Sequence, residues 1–281
     1  MNLSNIGTIK GLLNKYGFSF SKKLGQNFLI NPSVCPRMAS ECGADSSTSV
    51  LEIGPGIGVL TAELSRAAKK VVAIELDERL KPVLSETLKD CGNVTVLFGD
   101  VLKLDLLQII TEHFNGEDIV LCANLPYYIT SPILMHLLEN RIPVKSITVM
   151  VQKEAADRLC APVGTRQSGS VTVAVNYYAT AKKLFDVSRG SFLPAPNVDS
   201  AVIKMDLRAT PPVDVADVAR FFKIVRASFS QRRKTVANSL SSGLSLPKEA
   251  VLSALEASGI QLTARAEELS LSDFEAIYHN L

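Results

Sequence analysis

Asn124-Leu125-Pro126-Tyr127 places a side-chain amide oxygen, a backbone carbonyl and an aromatic ring within a single turn. That set suits methylation of an exocyclic amine on a nucleobase. Such a nitrogen is a poor nucleophile, because its lone pair is conjugated with the ring. Acceptors that hold both N–H hydrogens draw the lone pair out of conjugation as the nitrogen becomes tetrahedral. Asn124 through its amide oxygen and Leu125 through its carbonyl are the expected acceptors, and Tyr127 is the ring on which the base stacks. Taken alone, Tyr127 would also suit a half-buried aromatic after a proline turn; the preceding Asn-Leu-Pro favours stacking. A second aromatic opens the stretch Phe192-Leu193-Pro194-Ala195-Pro196-Asn197-Val198-Asp199-Ser200, whose prolines stiffen the backbone. By itself Phe192 fits a core plug equally well. Paired with the Asn124 turn, it reads as the opposite wall of a slot for a flat base.

A methyl donor must be held beside that slot. Upstream lies Glu52-Ile53-Gly54-Pro55-Gly56-Ile57-Gly58, a glycine loop in which Gly54 and Gly56 let a ligand approach backbone N–H groups at a helix start. A dinucleotide fingerprint would want its third glycine at Val59, so the spacing suits a cofactor without a pyrophosphate. Glu75 ends the next predicted strand and can accept from two ribose hydroxyls. Asp100 can accept from an adenine amino group, provided that its strand neighbours the first. Three tight strand-to-helix turns with incidental acids would explain each of these features singly, but not the ordered series. The cofactor they describe is S-adenosylmethionine. Its sulfonium methyl is displaced in line by the amine and its leaving group is neutral, so the protein supplies orientation and electrostatics rather than covalent help.

The elements that must position these groups are legible as apolar runs. Val50–Ile53, Val71–Glu75, Val94–Phe98 and Ile119–Ala123 read as strands, each followed by a helical pattern, one beginning near Val59 and another spanning about Glu78 to Lys89. Further strands are expected at Ser146–Val151, Val171–Tyr177 and Ser200–Asp206. Strands alternating with helices predict an α/β fold, a parallel sheet covered on both faces in the Rossmann-like manner. Every polar feature named above falls at the carboxyl end of a predicted strand, where open α/β sheets bind ligands. After Asp206 the texture changes. Arg208-Ala209-Thr210-Pro211-Pro212-Val213-Asp214 reads as a linker and the residues beyond it as helical and strandless, so residues 1–207 are assigned to a cofactor-binding catalytic domain and 208–281 to a small all-helical domain. Ser272-Asp273-Phe274-Glu275 fits a capping box for the last helix.

Composition narrows the class further. At 281 residues the chain can bury a large core without staples. Cys35, Cys42, Cys91, Cys122 and Cys160 form an odd set without CxxC spacing, which reads as reduced thiols in a cytoplasmic protein. His113, His136 and His279 lie near no other histidine or cysteine, so neither a metal site nor a Ser/His triad is expected; the first two read as helix residues. No apolar run approaches the length of a membrane span and no signal segment opens the chain. Net charge is only +2, yet from Arg220 to Leu240 the chain carries six cations and no acid. A basic helix of this kind neutralises phosphates, or is simply solvated; the charge pattern alone leaves the two even.

Taken in order, these motifs closely resemble the ribosomal RNA adenine dimethyltransferase family. The resemblance runs from Leu24-Gly25-Gln26-Asn27-Phe28-Leu29, through the Glu52–Gly58 loop, the Asn124 turn and the Phe192–Ser200 loop, to Phe229-Ser230-Gln231-Arg232-Arg233-Lys234. It implies that Asn27 and Leu29 close over the methionine end of the cofactor, alongside Gly54, Gly56, Glu75, Asp100 and Asn124. The run from Phe229 to Leu240 resembles the small-subunit branch rather than the macrolide-resistance branch. That implies dimethylation of two adjacent adenines in a hairpin loop near the 3′ end of 16S rRNA, within an immature 30S particle, by a monomer that needs no DNA. Arg226, Arg232, Arg233 and Lys234 are then the expected RNA contacts. Val163 and Ala266 stand where the family commonly has proline, which bears only on local loop rigidity. Two other readings compete: a DNA adenine methyltransferase, which would want a larger target-recognition domain, and an RNA-binding factor on the same fold with catalysis lost, against which the intact Glu75, Asp100, Asn124, Tyr127 and Phe192 weigh.

Overall fold

The structure, a computed structural model, describes residues 3–21 and 25–281; Leu24, the first residue of the motif ending at Leu29, lies outside them. Nine strands are formed among these residues: β1 Phe28–Leu29, β2 Ser49–Ile53, β3 Lys70–Glu75, β4 Val94–Phe98, β5 Ile119–Asn124, β6 Ser146–Gln152, β7 Ala179–Val187, β8 Phe192–Leu193 and β9 Ser200–Leu207. Seven make one sheet in the order β4-β3-β2-β5-β6-β9-β7. The first five in that order run parallel, and β9 is antiparallel to β6. The chain winds outward from β2 through β3 to β4, then returns to the other side of β2 as β5. β2 and β5 therefore flank the point at which the winding reverses, the place where a crevice opens above the strand ends in doubly wound sheets.

Burial explains the run-like strand sequences. Every residue of β2 is buried and so are five of the six in β3, as expected of central parallel strands covered on both faces. On one face the helices Val34–Glu41 and Val59–Ala67 pack Cys35, Met38, Leu60 and Leu64 against Val50, Val71, Val120 and Met150. Register places Glu52 level with Cys122 and Cys122 level with Thr148, so a polar row crosses this apolar layer.

By contact, the chain separates into two compact units. The first holds the described residues up to Ala156 together with Lys182–Leu207; the second holds Asp157–Ala181 and Arg208–Leu281. The second is helical, with helices Ser170–Tyr178, Val218–Ser228, Val236–Leu244, Lys248–Ala257 and Leu271–Asn280. Its core is an aromatic cluster in which the Tyr177 ring lies 5.6 Å from Phe221 and 5.2 Å from Phe222, with Tyr178 stacked on Phe222 at 5.4 Å.

Two expectations are corrected. Val171–Tyr177 is not a strand but the body of helix Ser170–Tyr178, opened by a capping arrangement in which Gly169 N–H donates to Thr172 Oγ1. A strand, β7, comes after it instead. The last helix begins two residues earlier than predicted, with Ser270 and Asp273 as the reciprocal capping pair. Among the described residues, no helix is long and apolar enough to cross a membrane.

Candidate active site

The glycine loop between β2 and helix Val59–Ala67 turns as it does because Gly54, Gly56 and Gly58 all take left-handed backbone angles, with φ of 74°, 59° and 87°. At Gly56 a side chain would also meet the Phe28 ring at 3.2 Å. The loop therefore packs against Phe28 of β1, and its own glycine N–H groups are taken up within the protein: Gly54 N–H donates to the Ile74 carbonyl and Gly58 N–H to the Pro55 carbonyl, both at 2.9 Å. Gly56 N–H donates to Glu75 Oε2 at 3.0 Å, while Asp77 N–H donates to Glu75 Oε1 at 2.8 Å. Glu75 is buried, which pushes its carboxyl up, and these N–H bonds pull it back toward the ionised form. With Leu76 N–H contributing besides these two bonds, the carboxylate still has acceptor capacity for a ligand.

Around the loop opens a cavity of about 1100 Å³, its mouth included. The residues assigned to the cofactor from sequence, Asn27, Leu29, Gly54, Gly56, Glu75, Asp100 and Asn124, all line it. So do those assigned to the base: Leu125, Tyr127 and Phe192. Asp100 reaches the cavity by a different route from the one anticipated. Its strand, β4, neighbours β3 and not the glycine-loop strand β2, so Asp100 stands on the far side of Glu75. It accepts from Leu102 N–H at 3.1 Å and lies 3.6 Å from Lys103 Nζ.

Asn124 ends β5, directly across from the glycine loop, and its side chain makes no hydrogen bond to any described residue. The following turn is closed by Ile129 N–H donating to the Pro126 carbonyl at 3.1 Å, and Thr130 Oγ1 donates to the same oxygen. Leu125 is buried. Tyr127 is half-buried and its hydroxyl lies 2.6 Å from Ser200 Oγ, which ties the turn to the start of β9; burial pushes the phenol up while Ser200 works against it. Phe192 arrives from elsewhere. β8 pairs antiparallel with β1, setting Phe192 opposite Leu29 and Leu193 opposite Phe28, so the residue assigned to the base and one assigned to the cofactor sit side by side. The Leu193–Pro194 peptide bond is cis.

Several residues of this cavity were not read from the sequence. Leu76 directly follows Glu75 and is 46% exposed, an apolar surface beside the two acids. That adjacency is the signal that would have found it. Gln26 accepts from Ser21 N–H at 2.9 Å and donates to Asp77 Oδ2 at 2.8 Å, while Arg79 grips Asp77 through its guanidinium at 2.8 and 2.7 Å and its backbone N–H at 3.2 Å. Arg79 holds the Asp77 carboxyl below its usual range. The segment before β1 is thereby linked through Asp77 to the carboxylate of Glu75. Nothing in the spacing of Gln26 and Asp77 announces that contact. Tyr128 also lines the cavity, at its mouth.

Beneath the loop lies an unpaired acid. Glu52 is completely buried and neither carboxyl oxygen has a hydrogen-bond partner; the Thr61 hydroxyl lies alongside and favours the ionised form somewhat, without a bond of acceptable geometry. Burial dominates, with Glu75 adding to it, and Glu52 is pushed up to about 8.

The cations assigned to RNA all lie exposed on the second unit. The expectation of a single basic helix is corrected: Arg226 sits in the last turn of helix Val218–Ser228, but Arg232, Arg233 and Lys234 occupy the turn after it. Ser230 bonds back to the Ala227 carbonyl and ends the first helix, and Thr235 caps the next. Phe221 and Phe222 are core residues; Phe229 is half-buried against Phe274, with ring centroids 5.9 Å apart.

Comparison with known proteins adds an independent line. Residues 17–281 match the model of a family described as ribosomal RNA adenine dimethylase. A Geobacillus sp. (strain WCH70) protein called ribosomal RNA small subunit methyltransferase A is 46% identical over all of this chain and 98% of its own. A protein of the same description from Anoxybacillus flavithermus is 48% identical over 97% of this chain and 94% of its own. Among solved structures, a dimethyladenosine transferase from Plasmodium falciparum superposes with a TM-score of 0.72 at 28% identity, covering 89% of this chain and 95% of that one. The 23S rRNA methyltransferase ErmE gives 0.66 at 28% identity, covering 91% and 99%.

Proposed function

The chain belongs to the ribosomal RNA adenine dimethylase family and is a methyltransferase of ribosomal RNA; on that footing we propose that it carries two methyl groups from S-adenosylmethionine to the N6 nitrogen of each of two adjacent adenines in a hairpin loop near the 3′ end of 16S rRNA. The observation that carries this reading is the Asn124 side chain, hydrogen-bonded to no described residue, in the same cavity as a Glu75 carboxylate already fixed by two backbone N–H groups.

The residues present fit the cofactor. Glu75 has acceptor capacity left for the ribose, Asp100 beyond it for the adenine amine, and Asn27, Leu29, Gly54 and Gly56 surround the remaining length of the pocket. When bound, the cofactor supplies an electrophilic methyl on a positively charged sulfur. The protein's part is then to present the amine. The Asn124 amide oxygen and the Leu125 carbonyl accept its two hydrogens, and Tyr127 and Phe192 hold the ring from its two sides. Because the Tyr127 hydroxyl is anchored to Ser200, its ring does not need to be ordered when the base arrives. A base in a hairpin loop is cheaper to splay into such a slot than a paired one.

We assign 1–207 to catalysis and 208–281 to RNA binding, with Arg226, Arg232, Arg233 and Lys234 meeting phosphates, and place the enzyme in the cytoplasm as a monomer acting on an immature 30S particle and not on DNA. The test is transfer of labelled methyl from S-adenosylmethionine to small ribosomal subunits that lack the modification, followed by mapping of the methylated bases. Wild-type protein should label two adjacent adenines. Asn124→Ala should bind cofactor within a few-fold of wild type and lose at least about 100-fold in transfer, as when a transition-state hydrogen-bond partner is removed elsewhere. Subunit binding by the wild type without transfer would instead support an RNA-binding factor on a disused catalytic fold.

A further inference from the structure

We propose that Tyr128 is the stacking platform for the nucleotide next to the one being methylated. The assignment rests on the function proposed above and extends it to a residue with no role so far. Tyr127 and Tyr128 are consecutive in the turn Pro126–Ile129, yet they are placed differently. Tyr127 is half-buried and anchored to Ser200, whereas Tyr128 is 57% exposed at the mouth of the same cavity. Of the large apolar side chains exposed among the described residues, only Leu76 and Tyr128 line this cavity, and Tyr128 is the only aromatic of the set.

An exposed aromatic is not by itself a site, but this one is held in position. Gly25 takes a left-handed conformation with φ of 59°, and a Cβ built on it would lie 3.2 Å from both Cδ1 and Cε1 of Tyr128 and 3.5 Å from Cβ of Pro126. One edge of the ring therefore seats in a notch that exists because residue 25 has no side chain. The remainder is open to solvent. Pro126, whose ring fixes its own backbone, lies against the same notch, so the Tyr128 ring has a neighbour on the Gly25 backbone and another in the proline. A preordered ring loses little freedom when a base lands on it.

The substrate chemistry calls for such a surface. Drawing one adenine into the slot between Tyr127 and Phe192 breaks its stacking on the adjacent base, which is left with a bare face just outside the cavity. Consecutive Cα atoms are about 3.8 Å apart, so a ring next to Tyr127 lies within one nucleotide's reach of the target. Every base has a face that can stack, but the larger purines stack more strongly than pyrimidines, and the proposed neighbour is itself an adenine. Tyr128 thus recovers the contact that flipping removes, and does so for whichever of the two adenines waits outside.

Steady-state transfer to unmodified small subunits provides the test. Tyr128→Ala should raise the KM for subunits roughly tenfold, within the span expected of one base–aromatic stack, with kcat within about twofold and cofactor affinity unchanged. Tyr128→Phe should match wild type, because the ring and not the hydroxyl does the work. A second measurement uses subunits whose rRNA carries uracil at one of the two adenine positions, leaving a single target with a pyrimidine neighbour. Wild type should lose most of its advantage over Tyr128→Ala on that substrate. Equal KM values for wild type and Tyr128→Ala on natural subunits, or the same ratio between them whether the neighbour is adenine or uracil, would overturn the assignment. Absence of transfer by the wild type would overturn the proposed function, and this assignment with it.

Discussion

Replacing Glu52 with Gln should stabilise the protein at and above neutral pH while leaving it almost unchanged in mild acid. Glu52 has no solvent exposure and no hydrogen-bond partner on either carboxyl oxygen, and its pKa rises from an ordinary 4.5 to about 8. In the unfolded chain the group ionises near the ordinary value, so folding takes up a proton anywhere between the two. The contribution of the neutral acid to stability is fully present below about 4.5 and is lost progressively as the pH climbs through the folded value, above which nothing more changes. At about 1.4 kcal/mol per pH unit, the whole window amounts to roughly 5 kcal/mol, of which roughly 3 kcal/mol has gone by pH 7. An amide of nearly the same shape does not titrate and escapes this loss. Urea unfolding followed by circular dichroism at pH 5, 6, 7 and 8 gives the comparison. The stability of Glu52→Gln minus that of wild type should grow with pH, by a few kcal/mol over the series. Parallel pH profiles for the two proteins would refute the claim that Glu52 is buried uncharged. Glu75 interacts with Glu52 only when both are charged, so removing the Glu52 charge acts in the same direction, favouring Glu52→Gln further as the pH rises.

Glu75→Gln keeps one acceptor but turns an amide N–H2 toward a backbone N–H, so cofactor affinity measured by calorimetry should fall roughly 10- to 100-fold, the range for a hydrogen bond to a charged group; an unchanged affinity would show that the carboxylate does not touch the ligand. Reversing Arg232 and Arg233 to Glu should weaken binding to subunits and reduce the slope of log K against log salt by about 1.5, with cofactor affinity intact. An unchanged slope would remove both residues from the RNA-binding surface.

Strand after strand of the parallel sheet was legible because central parallel strands are apolar throughout, and Val71–Glu75 or Ile119–Ala123 admit few other readings. The same rule produced the error at Val171–Tyr177. That run is rich in β-branched residues, and in the structure Thr172 through Val175 and both tyrosines are buried. A helix covered nearly all round shows no 3.6-residue period, and only Gly169 and Thr172, three residues apart, marked its start. β7 was missed for the opposite reason. As the last strand in the sheet order it is mostly exposed or half-buried, and its Ala-Lys-Lys sequence is the charged composition by which sheet edges avoid further pairing. In the cavity, side chains at strand ends were readable from position alone. Gln26 and Asp77 were not, since their bond depends on how the segment before β1 folds back over the loop. The basic stretch was recognised by charge, which does not distinguish a helix face from the turn after it.

The ladder of two residues between β1 and β8 bears on how the enzyme is made. A chain emerging from the ribosome can assemble the glycine loop, Glu75, Asp100 and Asn124 well before Phe192 has been translated, since all four belong to strands that pair without it. Phe192 is delivered late, and although it packs near Val187 and Val202 it must also find Leu29 across most of the sequence already synthesised. Prematurely terminated products would then carry the cavity open on the side that Phe192 closes, so the complete cavity would appear only at a single, late step of synthesis.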